Sequence, residues 1–300
     1  MSRVTKFSAA PASLGTLYAV GVGPGDPELI TLKALRTLET CPVIAAVRSE
    51  GGRSRRRSEA ALEAQREAGS VEGASMRAAS LSSDESAPNC RAEGASGPRG
   101  GATTALDIVR GAVDLAGKRI VELTFAMSRD AETLRASHAA AADAVCAELA
   151  AGHDVAMPIL GDPSIYSTFH YIRPLVEAAG FHVRVIPGVP SFCAVAATLG
   201  ANLTPTMGSP LHVLPTGYVD VREALDLPGT KVFMKAGAPL DELRDALRER
   251  SLLDRAGLVQ DCGLPTQVVV GGLDELDRHD GDDPEPASQL GGYFTTVVVR

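Results

Sequence analysis

Tryptophan is absent from this 300-residue chain, and aromatic residues make up only 4% of it. A large planar ligand would therefore be held mainly by aliphatic side chains and backbone groups. Cysteine is sparse as well. The five, at positions 41, 90, 146, 193 and 262, form no CxxC pair, and no His stands at metal-ligand spacing from one. This excludes a disulfide framework and a structural zinc site, and predicts ordinary buried thiols in a cytoplasmic protein without a bound metal. No apolar run approaches the ~20 residues of a membrane span. Residues 1–15 carry positive charge but no apolar block of the signal-peptide kind, and are expected to form a disordered leader. Basic excess is missing too. The formal net charge is −8, a field that disfavours nucleic acid and anionic membrane but leaves room for an anionic small molecule beside a local Arg patch.

The pattern along the chain predicts an α/β fold in two domains. LYAVGVG (Leu17–Gly23) is an apolar run ending in glycines, as a buried strand does. PELITLKALRTL (Pro27–Leu38) reads as a helix, with Asp26 as N-cap and Leu29, Leu32, Leu35 and Leu38 as its apolar stripe. CPVIAAV, KRIVELTF, HDVAMPIL and FHVRVIPG supply further strands. AETLRASHAAAADAVCAELAAG (Ala131–Gly152) reads as an Ala-rich helix with Gly152 just past its end, and PSFCAVAATLG as a small-residue helix ended by Gly200. Strands followed by helices imply a largely parallel sheet across residues 16–205. Residues from about 55 to 103, rich in Arg, Ser, Ala, Gly and Glu, are expected to be a low-complexity insertion in a surface loop. Past a Pro-rich linker, five short strand patterns and the helix PLDELRDALRER predict a smaller α/β domain over 210–300.

Three strand ends carry glycine where a ligand can approach the main chain. GVGPGDP (Gly21–Pro27) has GxGxG spacing, not the GxGxxG of a dinucleotide fold, and reads equally as a tight turn or a ligand loop. In PILGDPSIYSTF (Pro158–Phe169), Asp162 has two readings, cap of the next helix or acceptor for a ligand hydroxyl or amine. IPGVPSF (Ile186–Phe192) opens a helix whose first N–H groups lack intrahelical partners. No nucleophile–base pair stands out, which fits a chemistry that needs mainly alignment and exclusion of water.

In this order and spacing, the motifs resemble the tetrapyrrole methylase family. GVGPGDPELITLKAL is similar to its opening signature, LGDPSIYSTF and VIPGVPSF to its central pair, VFMKAG and VQDCGLPTQ to later landmarks, and GGYFTTVVVR to its last strand. The likeness spans Leu17 to Arg300 apart from the insertion, which is this chain's departure. RSEGGRS, FAMSRD and GDPSIYSTFHYI resemble the branch that methylates carbon 20 of precorrin-2 or cobalt-factor II. FAMSRD departs by Ala126, where relatives often carry proline. The resemblance implies S-adenosyl-L-methionine in a cleft between two domains, a tetrapyrrole substrate and a homodimer. Carried over by position, cofactor contacts would be Pro24, Leu160, Gly161, Asp162, Ile165, Pro190, Ser191, Lys235 and Gly263. Tyr166, Ser167 and Thr168 would line the cofactor or face the macrocycle. A polycarboxylate substrate needs cations, and Arg48, Arg53, Arg129 and Arg173 are candidates; Arg53 and Arg129 rank first because each follows a strand on the substrate-loop side. Other tetrapyrrole methyltransferases, or a non-catalytic ligand-binding scaffold, are the alternatives.

Overall fold

The computed structural model describes residues 14–49, 104–126, 128, 130–236, 240–277, 290 and 293–300. Residues 1–13 of the expected leader, the insertion, Arg53 and Arg129 lie outside them; Leu14 and Gly15, also assigned to the leader, are described, and Gly15 N donates to Leu149 O at 2.9 Å. Strands β1 (Thr16–Gly21), β2 (Val43–Ser49), β3 (Arg119–Phe125), β4 (Val155–Ile159) and β5 (His182–Ile186) form a five-stranded sheet in the order β3-β2-β4-β1-β5. Every pairing in it is parallel.

A parallel sheet must be covered on both faces, and the two-residue side-chain period divides its strands accordingly. Leu17, Ala19, Val43, Ala45, Val155 and Met157 face one core, completed by Ala141, Val145 and Leu149 of α3 (Ala131–Ala150) and by Phe169, Ile172 and Val176 of α4 (Phe169–Ala178). Val20, Ile44, Ala46 and Ala156 face the other, against Ala34 and Leu38 of α1 (Leu32–Thr40) and Leu106, Ile108 and Val109 of α2 (Thr104–Ala112). Each large side chain so buried contributes ~1.5–3 kcal/mol. Cys41 sits in the second core; burial, with Asp154 adding and Lys118 opposing, pushes its thiol up to about 12, so it stays protonated and unreactive.

The helix expected over Pro27–Leu38 is split. Asp26 caps only a short 3-10 turn, Pro27–Leu29, by accepting from Glu28 N, and Thr31 caps α1 by accepting from Ala34 N. Leu32 is 70% exposed and is not part of the core stripe, because a three-residue spacing drifts around a 3.6-residue helix. Helix ends follow the expectation more closely. Gly152 (φ +85) donates to Leu149 O and His153 to Glu148 O, a Schellman closure of α3; Gly200 (φ +60) and Ala201 repeat it after α5 (Ser191–Thr198).

The second sheet holds β6 (Leu211–Pro215), β7 (Thr230–Met234), β8 (Ala256–Gln260), β9 (Val268–Val270) and β10 (Thr295–Val299), ordered β6-β7-β10-β8-β9. Only β6–β7 is parallel. Alternation again splits the faces. Phe233, Leu258, Val297 and Val299 pack on α6 (Val221–Leu225) and α7 (Leu240–Glu249). Val232, Val259 and Val298 instead meet Val195, with Phe192, Ala194 and Leu199, all from α5 and its end. Thus α5, which leaves the first sheet at its third glycine motif, packs the first sheet's unit onto the second.

Candidate functional site

Strands β1 and β4 are neighbours, yet the chain leaves β1 for α1 on one face and leaves β4 for α4 on the other. Their connections part, and the crevice beyond such a switch point is where open α/β sheets bind ligands. All three glycine motifs end at this place, since the sheet order sets β4, β1 and β5 side by side. Gly161 N donates to Gly23 O at 2.8 Å, and Gly23 N returns to Gly161 O at 3.3 Å. Gly188 presses onto both loops. A Cβ there would lie 2.2 Å from Gly161 O and 2.8 Å from Gly21 Cα. The Gly21–Pro27 turn is therefore glycine-rich because backbones meet backbones.

Asp162 departs from the capping expectation. Helix α4 starts only at Phe169, with Thr168 preceding it. The Asp162 carboxylate, 9% exposed, works inside the loops. Oδ1 accepts from Ser164 N at 2.8 Å and from the Ser164 hydroxyl; Oδ2 accepts from Gly188 N at 2.9 Å. It thus ties the second motif to the third, and its remaining lone pairs can still accept from a ligand. Burial pushes its pKa up, but the hydrogen bonds from Ser164 and Gly188 outweigh that and hold it below the ordinary value. A depressed pKa stabilises the fold above the unfolded carboxyl value of about 3.9 and ceases to as pH falls through the folded one. Asp162→Ala should accordingly destabilise by ~1.5–3 kcal/mol at neutral pH. In pH-resolved thermal melts the gap from the parent should hold above about pH 5 and close in stronger acid. A gap independent of pH would show that the carboxylate charge is not what holds Gly188.

Gly161 has φ +66, and a Cβ there would fit without a clash, in ordinary contact with Ser191 N at 3.6 Å and Pro190 Cα and Val189 O at 3.8 Å. Pro190 stands at the N-cap of α5 and brings no side-chain oxygen to the first-turn N–H groups. A ligand over Gly161 would meet those donors and the positive end of the helix dipole. Across the cleft, the Pro24–Asp26 turn bears on the loop after β8: a Cβ on Gly25 would lie 2.5 Å from Cys262 O, and one on Gly263 2.7 Å from Asp26 N.

So Pro24 and Gly263 lie at one point of contact between the two sheets' loops, and Leu160, Gly161, Asp162, Pro190 and Ser191 at the carboxyl ends of β4 and β5. Ile165 closes the Asp162 turn through its N–H to Asp162 O, and Ser167 Oγ accepts from Phe169 N at 3.1 Å, starting α4 beside Thr168. Tyr166 spans to the second sheet, donating its hydroxyl to Val213 O in β6 at 2.9 Å, and Lys235 follows β7. Arg48 and Arg173 do not join the group; they pair on the surface with Glu122 and Glu177. Gly188, packed on Gly21 and Gly161, and Tyr293, whose ring centroid lies 4.9 Å from Lys235 Nζ, are members that the sequence reading did not single out, although each lies within a motif it noted. Among the described residues no group of His, Cys, Asp or Glu is placed to hold a metal ion. A groove of about 490 Å³ lined by Tyr18, Leu32, Lys33, Arg36, Thr37 and Thr40 runs along α1 and includes none of the loop residues above.

The sequence matches the family described as tetrapyrrole (corrin/porphyrin) methylases over residues 16–95 and 98–277. It is 29% identical over 292 residues to a precorrin-2 C(20)-methyltransferase of Sinorhizobium sp, with 95% of each chain covered. To a cobalt-precorrin-2 C(20)-methyltransferase of Salmonella typhimurium it is 25% identical over 289 residues, covering 95% of this chain and 96% of the relative. Among solved structures, a uroporphyrin-III C-methyltransferase of Thermus thermophilus complexed with S-adenosylhomocysteine aligns with a TM-score of 0.53 at 19% identity, covering 95% of this chain and 92% of that one. The family match runs from β1 to β9, through both sheets and every glycine motif of the crevice, and the chain belongs to the tetrapyrrole methylases.

Proposed function

We propose that this methylase transfers the methyl group of S-adenosylmethionine to carbon 20 of precorrin-2 or cobalt-factor II, in cobalamin biosynthesis. The observation that carries the cofactor reading is the bare main chain of Gly161, at φ +66, beside the first turn of α5, whose N-cap Pro190 brings no side-chain acceptor. Near-full-length similarity to C(20)-methyltransferases, together with the GDPSIYSTFHYI run, supports the choice of substrate and ring position. When bound, the cofactor supplies an electrophilic methyl group. Pro24, Leu160, Gly161, Asp162, Ile165, Pro190, Ser191, Lys235 and Gly263 are the proposed cofactor contacts. Tyr166, Ser167 and Thr168 stand on the macrocycle side, with Arg53 and Arg129 proposed as anchors for its carboxylates. The work assigned to these residues is orientation and exclusion of water, which suffices for displacement at a sulfonium. No helix among the described residues is long and apolar enough to cross a membrane; a cytoplasmic homodimer completes the proposal, and sedimentation tests the dimer.

The deciding assay incubates purified protein anaerobically with labelled S-adenosylmethionine and precorrin-2. One methyl group on carbon 20 is expected. A methyl elsewhere on the ring would move the protein to another tetrapyrrole methyltransferase class. No transfer, with S-adenosylhomocysteine still bound in calorimetry, would leave a ligand-binding scaffold. In the same assay Arg53→Ala and Arg129→Ala should each raise the tetrapyrrole KM by roughly ten-fold or more, with cofactor affinity kept.

A further inference from the structure

The two stretches of sequence that carry the carbon-20 likeness, FAMSRD and GDPSIYSTFHYI, lie apart in the chain and follow different strands, β3 and β4. In the fold both are held by one place on α3, Ser137 and His138. The Ser137 hydroxyl reaches back to the end of β3, where it donates to Thr124 O at 3.1 Å and accepts from Ala126 N at 2.9 Å. The far end of the same turn is tied as well. Asp130 N donates to Ser128 Oγ at 3.0 Å, and the Asp130 carboxylate caps α3, accepting from Thr133 N at 2.8 Å and from Thr133 Oγ1 at 2.6 Å. Arg129 stands in the sequence between Ser128 and Asp130. His138, the neighbour of Ser137, stacks its ring on that of Tyr171 in the first turn of α4, with centroids 4.6 Å apart and planes 2° from parallel, and meets the Phe125 ring at 5.9 Å.

Ser137 is out of keeping with its helix. Helix α3 is rich in alanine, the best helix former, and serine in a helix interior is poorer because its hydroxyl competes for backbone groups. Here the hydroxyl serves backbone outside the helix, and gives one acceptor and one donor at the end of β3 their partners. Alanine at 137 would improve the helix and release both. The turn so held is within reach of a macrocycle. Strand β3 is parallel to β2, and β2 to β4, so the ends of β3 and β4 lie along one edge of the sheet. With strands ~4.8 Å apart, the turn stands about 10 Å to the side of the β4 end, a distance that a tetrapyrrole with its peripheral acid side chains spans. Tyr166, Ser167 and Thr168, proposed on the macrocycle side, immediately precede α4, whose third residue is Tyr171.

Building on the methyltransferase reading, we propose that Ser137 is a positioning residue for the tetrapyrrole: its hydroxyl sets the 125–130 turn so that Arg129 meets a carboxylate of the macrocycle, and the His138–Tyr171 stack holds that turn in register with the start of α4. Ser137 is assigned no contact with the cofactor or the reacting carbon; it acts through Arg129. A hydroxyl that merely finished β3 would change stability alone. One that sets Arg129 changes how tightly the macrocycle is held and leaves the transfer step as it is.

The test uses the full-length protein, with precorrin-2 kinetics, uroporphyrin III binding by fluorescence quenching and S-adenosylhomocysteine binding by calorimetry. Ser137→Ala should raise the precorrin-2 KM and weaken uroporphyrin III by about five-fold or more, with kcat and S-adenosylhomocysteine affinity each within about two-fold of the parent. Ser137→Thr, which keeps the hydroxyl, should restore most of the loss. The double variant Ser137→Ala, Arg129→Ala should be no worse than Arg129→Ala alone, since a residue acting through Arg129 then has nothing to position. His138→Ala should raise KM by roughly two- to five-fold, and His138→Phe, which keeps a ring on Tyr171, should not. Parent KM and parent uroporphyrin III affinity in Ser137→Ala, or a loss confined to kcat or to S-adenosylhomocysteine, would overturn the proposal. Additive losses in the double variant would overturn Arg129 as the group positioned. Parent protein that neither methylates precorrin-2 nor binds uroporphyrin III would overturn the tetrapyrrole reading itself, a result separable from any effect of the variants.

Discussion

Replacing Gly188 by alanine should lower the stability of this protein by about 3 kcal/mol or more, the upper range for overpacking a tight interior. For a body of this size that is a fall in Tm of roughly 6–12 °C. The added methyl would stand 2.2 Å from Gly161 O and 2.8 Å from Gly21 Cα and C. All of these are backbone atoms, so no side chain can rotate out of the way. The loops after β4, β1 and β5 would have to separate, and the donation of Gly188 N to Asp162 Oδ2 would go with them. The cost is steric and not conformational, because Gly188 is not among the positive-φ glycines. Differential scanning calorimetry measures it. A Tm within about 2 °C of the parent would mean that the three loops are looser than their packing indicates.

How far a sequence discloses such a site depends on whether the cause is local. Strand–glycine–helix punctuation is local, and β1, β4 and β5 lie where their apolar runs end. The Schellman glycines after α3 and α5 are local too, since only the residue's own backbone is at stake. Five residues with a single Asp220 cap made α6 too short for periodicity to reveal it. Leu32 misled because leucines spaced by three look like a stripe until the helix start is known. Asp162 was seen as important, but its clamp on Gly188 needs β5 beside β1, and strand order is a property of the whole sheet. The left-handed backbones at Tyr166 and Lys235 were out of reach for the same reason. Nothing in YST or MKA asks for φ above zero; the Val213 carbonyl and the second sheet impose it. The motifs could therefore be named from resemblance before their geometry was known.

Alanine at Gly161 should do the opposite of alanine at Gly188: keep the fold and empty the cleft. Its added methyl would meet nothing closer than 3.6 Å, ordinary contact, so there is no clash in the protein alone. What it does cost is the left-handed backbone at φ +66, ~1–2 kcal/mol for an L side chain. Gly180, at φ +89 with nothing within 4 Å of its Cβ position, ends α4 and supplies the control for that strain. Gly161→Ala and Gly180→Ala should thus lose comparable stability. They should part company in binding. The Gly161 methyl points toward Ser191 N at the open start of α5 and would occupy the space the proposed cofactor needs against the main chain. Calorimetry with S-adenosylhomocysteine should show a loss of at least about twenty-fold for Gly161→Ala, the scale of an overpacked contact, and less than about two-fold for Gly180→Ala. Equal affinities in the two variants would remove the bare main chain of Gly161 from the binding site and, with it, the observation on which the cofactor reading rests.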